Sequence, residues 1–325
     1  MRTKNLLIII LMISSIQIFA QNTPTGDESV YEPVKYLPIH KFPLSILHVY
    51  RYTDTTEVTK TFPDSTKTHY KRVVTDFFTL KRTKPDKDGF ITLEVSLDSM
   101  RYYLKEGKAE IYWDSQDDAS GGFNMQDLKY ACVPLGHFFD MTLSPYDDIA
   151  KISGVNAEWY FNYLKTNLSK LSDTVEKFIW YDGFSNKRIA QIHKVKKILL
   201  PNEKIAIDSI WTSPFEIQID NVNFADTVKP KITKVENGQI FVEAEINNLK
   251  ALPGKYLFYG IKDMLLPIKS SKGVGKYRIE FSPRGAIEKA IGEFLVQLKI
   301  PVHKDIFKLD IKSTMYWTLL GMYRE

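Results

Sequence analysis

The sequence predicts a mainly β protein with a helical insertion, an α+β chain built as two related antiparallel curved sheets or half-barrels in tandem. Three observations support this prediction. Several segments alternate apolar and polar residues with the period of two that a half-buried strand requires. A motif from the first half of the chain returns in the second half, which indicates an internal repeat. Between the two copies, the apolar period changes to that of a helix.

Residues 1–20 have the three parts of a secretory signal peptide: the basic residues Arg2 and Lys4, an apolar run over 6–13, and the small residue Ala20 at the predicted cleavage site. The run is too short for a comfortable bilayer span. No cysteine lies near the cleavage site to carry a lipid. We therefore expect an exported protein, periplasmic or extracellular, that is not lipid-anchored through cysteine and has no membrane span after signal removal.

The amino-acid composition restricts the class of protein to which the chain can belong. The chain has 44 basic and 39 acidic residues and a formal net charge of +5, which signal removal would lower further. This balance is not the concentrated basic footprint of a nucleic-acid-binding protein, so nucleic acid is not an expected partner. Cys132 is the single cysteine, so the fold must hold without an intramolecular disulfide. A hydrophobic content of 44% over 325 residues is sufficient for a large core.

The first β unit is predicted over residues 34–155, after a flexible polar leader at 21–33. Its clearest strand runs from Phe90 to Ser99, where apolar and polar residues alternate strictly. Tyr70 to Arg82 is its expected partner, joined to it through the turn-rich segment Lys84 to Gly89.

A helical segment is predicted over residues 156–200 and is expected to pack on the first unit. Apolar residues recur at helical spacing from Tyr160 to Leu171, and Asp173 with Glu176 has the spacing of a capping box. Ser185 to Leu200 fits a further helix.

The second β unit is predicted over residues 201–325. Phe215 to Asp220 alternates, and Phe307 to Leu320 fits a long final strand. Between them, Ile232 to Val235 leads through an Asn-Gly turn into Ile240 to Asn247, which predicts a hairpin.

An internal sequence repeat aligns these two units. Phe139 to Gly154 resembles Tyr277 to Gly292, and the hairpins at Gly89 and Gly238 align in the same order. The different spacing requires an insertion in the first copy, which we place in the polar stretch from Asp114 to Gly122. Two repeated motifs that occur in the same order favour two related β units.

Each copy of the motif enters as an alternating strand and then turns at a Ser-Pro step, Ser144-Pro145 in the first copy and Ser282-Pro283 in the second. Proline fixes φ, and Gly285, matched by Asp147, supplies a residue that tolerates positive φ. Two readings are open, a turn that holds a ligand and a hairpin that was duplicated. Backbone requirements alone explain these residue types, which favours the duplicated hairpin.

These motifs also carry a resemblance. The repeated Ser-Pro pattern, together with Trp113-Asp-Ser115 and the segment from Leu200 to Trp211, is similar to an uncharacterised family of exported β-rich proteins of Gram-negative bacteria, a domain of unknown function. The likeness covers nearly the whole mature chain. It implies export and a β architecture and no activity. Asp147 and Asp208 depart from the pattern, since both stand where the family has glycine.

No catalytic, metal-binding or cofactor-binding residue is predicted, and no cofactor is expected. The six histidines show no pair at the helical spacing of a zinc site, and Cys132 has no cysteine partner. Ser185 lacks the second glycine of a nucleophile elbow. The segment Ser270 to Lys276 lacks the glycine spacing of a phosphate-binding loop and precedes a strand.

Three further polar groups are interpreted as solvated surface. The pairs Asp117-Asp118 and Asp147-Asp148 have the composition of turns, where aspartate is common. The basic cluster that begins at Lys187 could contact anionic lipid headgroups, yet its spacing beside apolar residues also fits a wet face.

The leading hypothesis is an exported, non-enzymatic protein of the cell envelope. It follows from the strands, since a sheet with one apolar face must cover that face with a second sheet, helices or a bound guest. The guest would be a lipid or another apolar small molecule, held between or within the β units at residues that the sequence does not identify. Two alternatives are an outer-membrane β-barrel, suggested by the 13% aromatic content, and a hydrolase with a dispersed site.

Overall fold

One large antiparallel sheet dominates the molecule. In the computed structural model, residues 33–84, 88–124, 134–144, 148–154, 196–258 and 264–324 are described, together with positions 128, 132, 162 and 166. The strands, in chain order, are β1 Lys35–Tyr36, β2 Ile46–Thr61, β3 Lys67–Lys84, β4 Ile91–Glu106, β5 Ala109–Asp114, β6 Phe138–Leu143, β7 Ile149–Ser153, β8 Ile205–Ala206, β9 Ser213–Ile219, β10 Val222–Val228, β11 Lys231–Glu236, β12 Gln239–Ala251, β13 Lys255–Phe258, β14 Met264–Pro267, β15 Ser270–Phe281, β16 Ile287–Val302 and β17 Asp305–Arg324.

The main sheet has 13 strands and is open. Its order is β7-β6-β4-β3-β2-β17-β16-β15-β12-β10-β9, with β5 also paired to β4 and β11 also paired to β12. Two short antiparallel pairs, β1 with β8 and β13 with β14, complete the described strands. The mainly β prediction is therefore confirmed.

The two related curved sheets predicted in tandem are joined into one continuous sheet. Within the main sheet, the other strands of the first half, β3 to β7, lie on one side of the β2–β17 contact, and those of the second half, β9 to β12, β15 and β16, lie on the other. β2 and β17 pair along nearly their full lengths, from Ile46 opposite Arg324 to Thr61 opposite Lys308. This pairing removes two long exposed strand edges, which would otherwise invite association with other chains.

The two halves nevertheless repeat one arrangement. In the first half, Ile91 of β4 lies opposite Leu143 of β6. In the second half, Ile240 of β12 lies opposite Phe281 of β15, at the matching register. Both preceding turns carry positive φ at two successive residues, Asp88-Gly89 and Asn237-Gly238, and the second of them is the two-residue turn of a tight hairpin.

The Ser-Pro motifs form equivalent hairpins, β6–β7 and β15–β16. In each, the serine amide donates to the carbonyl oxygen four residues on, at 2.8 Å for both Ser144 and Ser282. The return amide donates to the serine Oγ, from Asp148 at 3.2 Å and from Ala286 at 3.0 Å. Both hairpins also have a register shift one residue before the turn. Hydrogen bonding within the turn thus accounts for the serine that both copies of the motif share.

The sheet is curved, so that side chains on the inward face of distant strands contact one another. Five strands lie between β3 and β10 in the sheet order. Even so, the Tyr70 hydroxyl of β3 donates to Asp220 Oδ2 in the β9–β10 turn at 2.9 Å. Tyr256 of β13 donates to the same oxygen at 3.1 Å, and an Arg72 nitrogen lies 3.3 Å from Asp220 Oδ1. This buried polar cluster connects three elements across the inside of the curl.

Strand alternation places the core on the inward face. Along β16, the side chains of Phe294, Val296, Leu298 and Ile300 are buried, and Leu295 between them is exposed. Residues from both halves join in one apolar cluster, which includes Tyr50 of β2 and Phe215 of β9. Burial of such side chains stabilises the fold by about 1.5–3 kcal/mol each.

The strands predicted around Phe90, Tyr70, Ile240, Phe215 and Phe307 are all present and most are longer than expected. β2 was missed. The predicted signal peptide and leader, residues 1–33, lie outside the described residues except for position 33. The helical insertion predicted at 156–200 also lies outside them, except for positions 162, 166 and 196–200. Residues 196–200 contain no strand or α-helix.

The turn at Gly285 gives a first testable prediction. Gly285 has φ of +84°, and a Cβ there would lie 2.9 Å from Lys41 Cδ and 3.1 Å from the carbonyl oxygen of Ile39. Gly107 has φ of +59° with no atom within 4 Å of such a Cβ. We expect Gly285→Ala to lower the free energy of unfolding by about 2 kcal/mol and Gly107→Ala by about 1 kcal/mol, as measured by urea unfolding. Equal losses would contradict the contact between this turn and the segment before β2.

Candidate functional site

A groove crosses the outward face of the sheet near the junction of the two halves. It consists of two adjoining depressions, which we call together the outer groove. The first, of about 590 Å³, is lined by residues of β2, β3, β12, β15, β16 and β17. The second, of about 540 Å³, is lined by residues of β12, β15, β16 and β17. Both volumes fall in the range of about 300–1,000 Å³ that is typical of small-molecule sites.

Four residues line both depressions: Asn247, Val274, Leu295 and Lys312. Val274 and Leu295 lie directly opposite each other on β15 and β16 and are 48% and 58% exposed. Their side chains form an apolar stripe on a face whose other members are mostly polar.

Polar residues flank this stripe on both sides. Lys272 lies opposite Gln297, and Lys276 lies opposite Glu293, each two residues from the stripe. Two residues of a strand span about 6.6 Å, so the apolar stripe is narrow. The outer groove therefore offers an apolar floor between charged walls.

The acidic residues of the first depression are already engaged. Glu57 lies 3.4 Å from Lys71 Nζ, and Asp310 accepts a hydrogen bond from Gln297 at 2.6 Å. Within the part of the chain that the structure describes, neither Lys272 nor Lys312 makes an ion pair. The first depression thus presents two lysine side chains without an ion pair in the described ranges, Lys272 opposite the neutral Gln297 and Lys312 opposite Glu57, which is engaged by Lys71.

The apolar stripe lies on two strands that are paired on both sides. β15 pairs with β12 on one side and β16 on the other, and β16 pairs with β15 and β17. An extended peptide adds to a sheet through a free strand edge. The floor offers no such edge, so side chains must supply the contacts to any ligand.

A second group of ionisable residues lies inside the molecule. His40, His48, Tyr50 and Lys196 are each at least 96% buried. The Tyr50 hydroxyl donates to the carbonyl oxygen of Ile287 at 2.9 Å, and its oxygen lies 3.2 Å from His40 Nε2. We call these four residues the buried histidine cluster.

Burial controls protonation in the buried histidine cluster. It lowers the pKa of His48 from 6.5 to about 4. It also lowers the pKa of His40, to which the nearby charges of His48 and Lys196 contribute, and it lowers the pKa of Lys196. Aromatic rings pack around the cluster, with Phe42 3.9 Å from the ring of His40 between centroids. A substrate could not reach these groups without local opening, so we interpret the cluster as part of the packing beneath the segment before β2.

The residues that the sequence singled out lie apart from one another. Ser270 to Lys276, which the sequence analysis set aside as a phosphate-binding loop, is the start of β15, and its outward side chains line the outer groove. Asp117 and Asp118 lie in a turn, where Asp118 accepts two hydrogen bonds from Ser120. Asp147, Ser185 and Lys187 lie outside the described residues.

No group of three His, Cys, Asp or Glu residues in the described ranges is arranged to hold a metal ion. That same part of the chain contains no helix long and apolar enough to cross a membrane.

The sequence did not identify Val274 and Leu295 as a site, although it carries a signal for them. Both are apolar residues at outward positions of strands whose inward positions are also apolar. Such a break in alternation marks an apolar spot on a wet face. Recognising that the two spots coincide requires the pairing of β15 with β16.

No protein-family model and no curated protein matches the chain. Among solved structures, a lipovitellin structure described by its lipid–protein interactions is similar with a TM-score of 0.41 and 14% identity, over 87% of this chain and 26% of that chain. The chain thus spans about a quarter of lipovitellin. An outer-membrane channel from Pseudomonas putida F1 gives a TM-score of 0.26 and 6% identity, over 88% of this chain and 100% of that chain. A DUF1329 family protein from Desulfovibrio piger gives a TM-score of 0.13 and 8% identity, over 85% of both chains.

These similarities are distant and concern β-rich architecture alone. Of what the family resemblance implied, the β architecture is seen in the sheet itself, and no family is identified.

Proposed function

We propose that the protein is an exported, non-enzymatic protein of the cell envelope that binds a lipid or another amphipathic small molecule in the outer groove. The single observation that carries this proposal is the paired exposure of Val274 and Leu295 in a groove of sufficient volume. Export is supported by the signal-peptide pattern at residues 1–20.

An apolar floor between polar walls suits an amphipathic ligand. Transfer of hydrocarbon from water to Val274 and Leu295 is favourable by about 25 cal/mol per Å² of apolar surface buried. Long lysine side chains at the rim can add their own methylene groups to the contact while their charges remain in water. A fully polar ligand would leave the apolar stripe without a partner.

Native mass spectrometry after gentle purification gives a direct test. The proposal predicts a bound guest, or uptake of dodecanoate added below its micellar concentration, at one molecule per chain. A protein that carries no guest and takes up no amphiphile would contradict the proposed function.

A variant pair localises the site. We expect Val274→Ser with Leu295→Ser to weaken dodecanoate binding about tenfold, because about 1.4 kcal/mol of apolar contact is lost. The matched control is Ile111→Ser on β5, which is 42% exposed and lies outside both depressions. Isothermal titration calorimetry measures both. Equal weakening by the control, or none by the double variant, would place binding elsewhere.

A further inference from the structure

We infer that the outer groove is specific for a single-chain amphiphile with an anionic head group, which binds between Lys272 and Lys312 while its hydrocarbon chain lies over Val274 and Leu295. This inference rests on the proposed function and adds the class of ligand. The head-group chemistry is that of a carboxylate or a phosphate monoester.

The sign of the head group follows from the charges of the first depression. Its two carboxylates are neutralised or hydrogen-bonded, Glu57 by Lys71 and Asp310 by Gln297. Lys272 and Lys312 have no ion pair within the described ranges, and both line this depression. An anionic group between the two ammonium groups would gain charge-assisted hydrogen bonds, whereas a cationic group would be repelled.

The second depression fits the hydrocarbon chain rather than a second head group. It contains one unshared cation, Lys276, whose cross-strand neighbours are Glu245 and Glu293. Together with Lys312, which lines both depressions, the two cations and two carboxylates balance, so this depression attracts neither sign strongly. Side-chain and backbone atoms of Ile246, Val274, Phe294 and Leu295 contribute to its lining.

The width of the stripe limits the ligand to one chain. Polar pairs lie two residues to either side of the Val274–Leu295 pair, at about 6.6 Å. A second hydrocarbon chain beside the first would have to cover Lys276 and Glu293 or Lys272 and Gln297, which would cost the desolvation of charged groups. A double-chain lipid is therefore disfavoured.

The strand pairing also excludes a strand-forming peptide as the occupant. β15 and β16, which carry the apolar stripe, each have neighbouring strands on both sides, so no row of backbone amide and carbonyl groups is open beneath the stripe. The occupant must bind through its own apolar surface and a charge, which is the definition of an amphiphile.

The test compares dodecanoate with dodecanol, which has the same chain without the charge. The wild-type protein is expected to bind dodecanoate about tenfold more tightly, as measured by calorimetric titration or by displacement of a fluorescent fatty acid. Lys272→Gln with Lys312→Gln is expected to abolish this preference and to leave dodecanol binding unchanged.

The matched control is Lys299→Gln with Lys308→Gln. These lysines lie opposite each other on β16 and β17, face outward, and do not line either depression. The control removes the same net charge, so the dodecanoate preference should persist. Loss of the preference in both double variants would indicate a general field effect and overturn the proposed head-group site.

Three outcomes separate the ligand class from the function. If both amphiphiles bind equally and the lysine variants change nothing, the anionic head group is wrong and amphiphile binding stands. If inorganic phosphate competes with dodecanoate at equal concentration, the groove is an anion site without a role for the chain, and the amphiphile inference is wrong. If neither dodecanoate nor dodecanol binds, the proposed function itself fails.

Discussion

Replacement of Asp220 by asparagine is expected to lower the free energy of unfolding by about 3 kcal/mol, because it removes a charge that partners a buried cation. The Asp220 carboxylate accepts hydrogen bonds from Tyr70 and Tyr256 and lies 3.3 Å from an Arg72 nitrogen. Asparagine keeps the shape and tolerates the positive φ of this position, +56°. The loss therefore reports the charge and its hydrogen bonds rather than backbone strain.

Asp208→Asn is the matched control for this change. Asp208 also has positive φ, +64°, and also pairs with a basic side chain, with Lys231 Nζ at 3.8 Å, but its own side chain is largely exposed. An exposed pair of this kind contributes about 0–1 kcal/mol. Urea unfolding should give a loss at Asp220 several times larger than that at Asp208. Comparable small losses would mean that the contact between β3 and the β9–β10 turn does not hold the curl of the sheet.

His48→Phe is expected to raise stability at neutral pH by about 1 kcal/mol and to weaken the pH dependence of unfolding in acid. Both ring nitrogens of His48 are buried without a hydrogen-bond partner among the described residues, in contact with Phe42 and Tyr50. Replacing an unsatisfied polar ring by an apolar ring of similar shape removes that cost.

The acid dependence has a definite sign. The folded-state pKa of His48, about 4, lies below the ordinary value of 6.5, so the unfolded chain binds the proton first as the pH falls. The contribution to stability is complete above about pH 6.5 and is lost progressively towards pH 4. We expect about 2 kcal/mol in all for this one residue, after allowance for solvent screening. His40 acts in the same direction, since burial also lowers its pKa.

Urea unfolding at pH 7, 6, 5 and 4.5 measures this effect for the wild type, His48→Phe and Tyr50→Phe. The tyrosine variant retains both histidines and should retain the acid loss. An identical pH profile for the wild type and His48→Phe would contradict the burial of a neutral imidazole at this position.

Sequence patterns predicted those strands whose inward and outward faces differ in polarity. Phe90 to Ser99 and Phe215 to Asp220 alternate strictly, and both correspond to strands, β4 and β9. β2 was missed because Asp54 and Thr56 occupy inward positions, where Thr56 donates to Asp54 Oδ1, so the apolar alternation is broken.

Sequence periodicity could not predict which strands pair when they lie far apart in the chain. The sequence repeat identified two equivalent hairpins, in Phe139–Gly154 and Tyr277–Gly292, and the structure has both with matching turns. Nothing local to β2 or β17 indicates that these two strands, near opposite ends of the chain, pair and merge the halves into one sheet. The outer groove depends on that pairing, since Glu57 and Lys312 are adjacent only across it.

The central claim is that the outer groove binds the hydrocarbon chain of an amphiphile, and photocrosslinking tests it most directly. A fatty acid with a diazirine in its chain would be bound to the wild-type protein, irradiated, and its attachment sites mapped by mass spectrometry. The account predicts crosslinks on β15 and β16, centred on Val274 and Leu295, that excess dodecanoate suppresses. Competable crosslinks confined to other strands, or no competable crosslink at all, would contradict it.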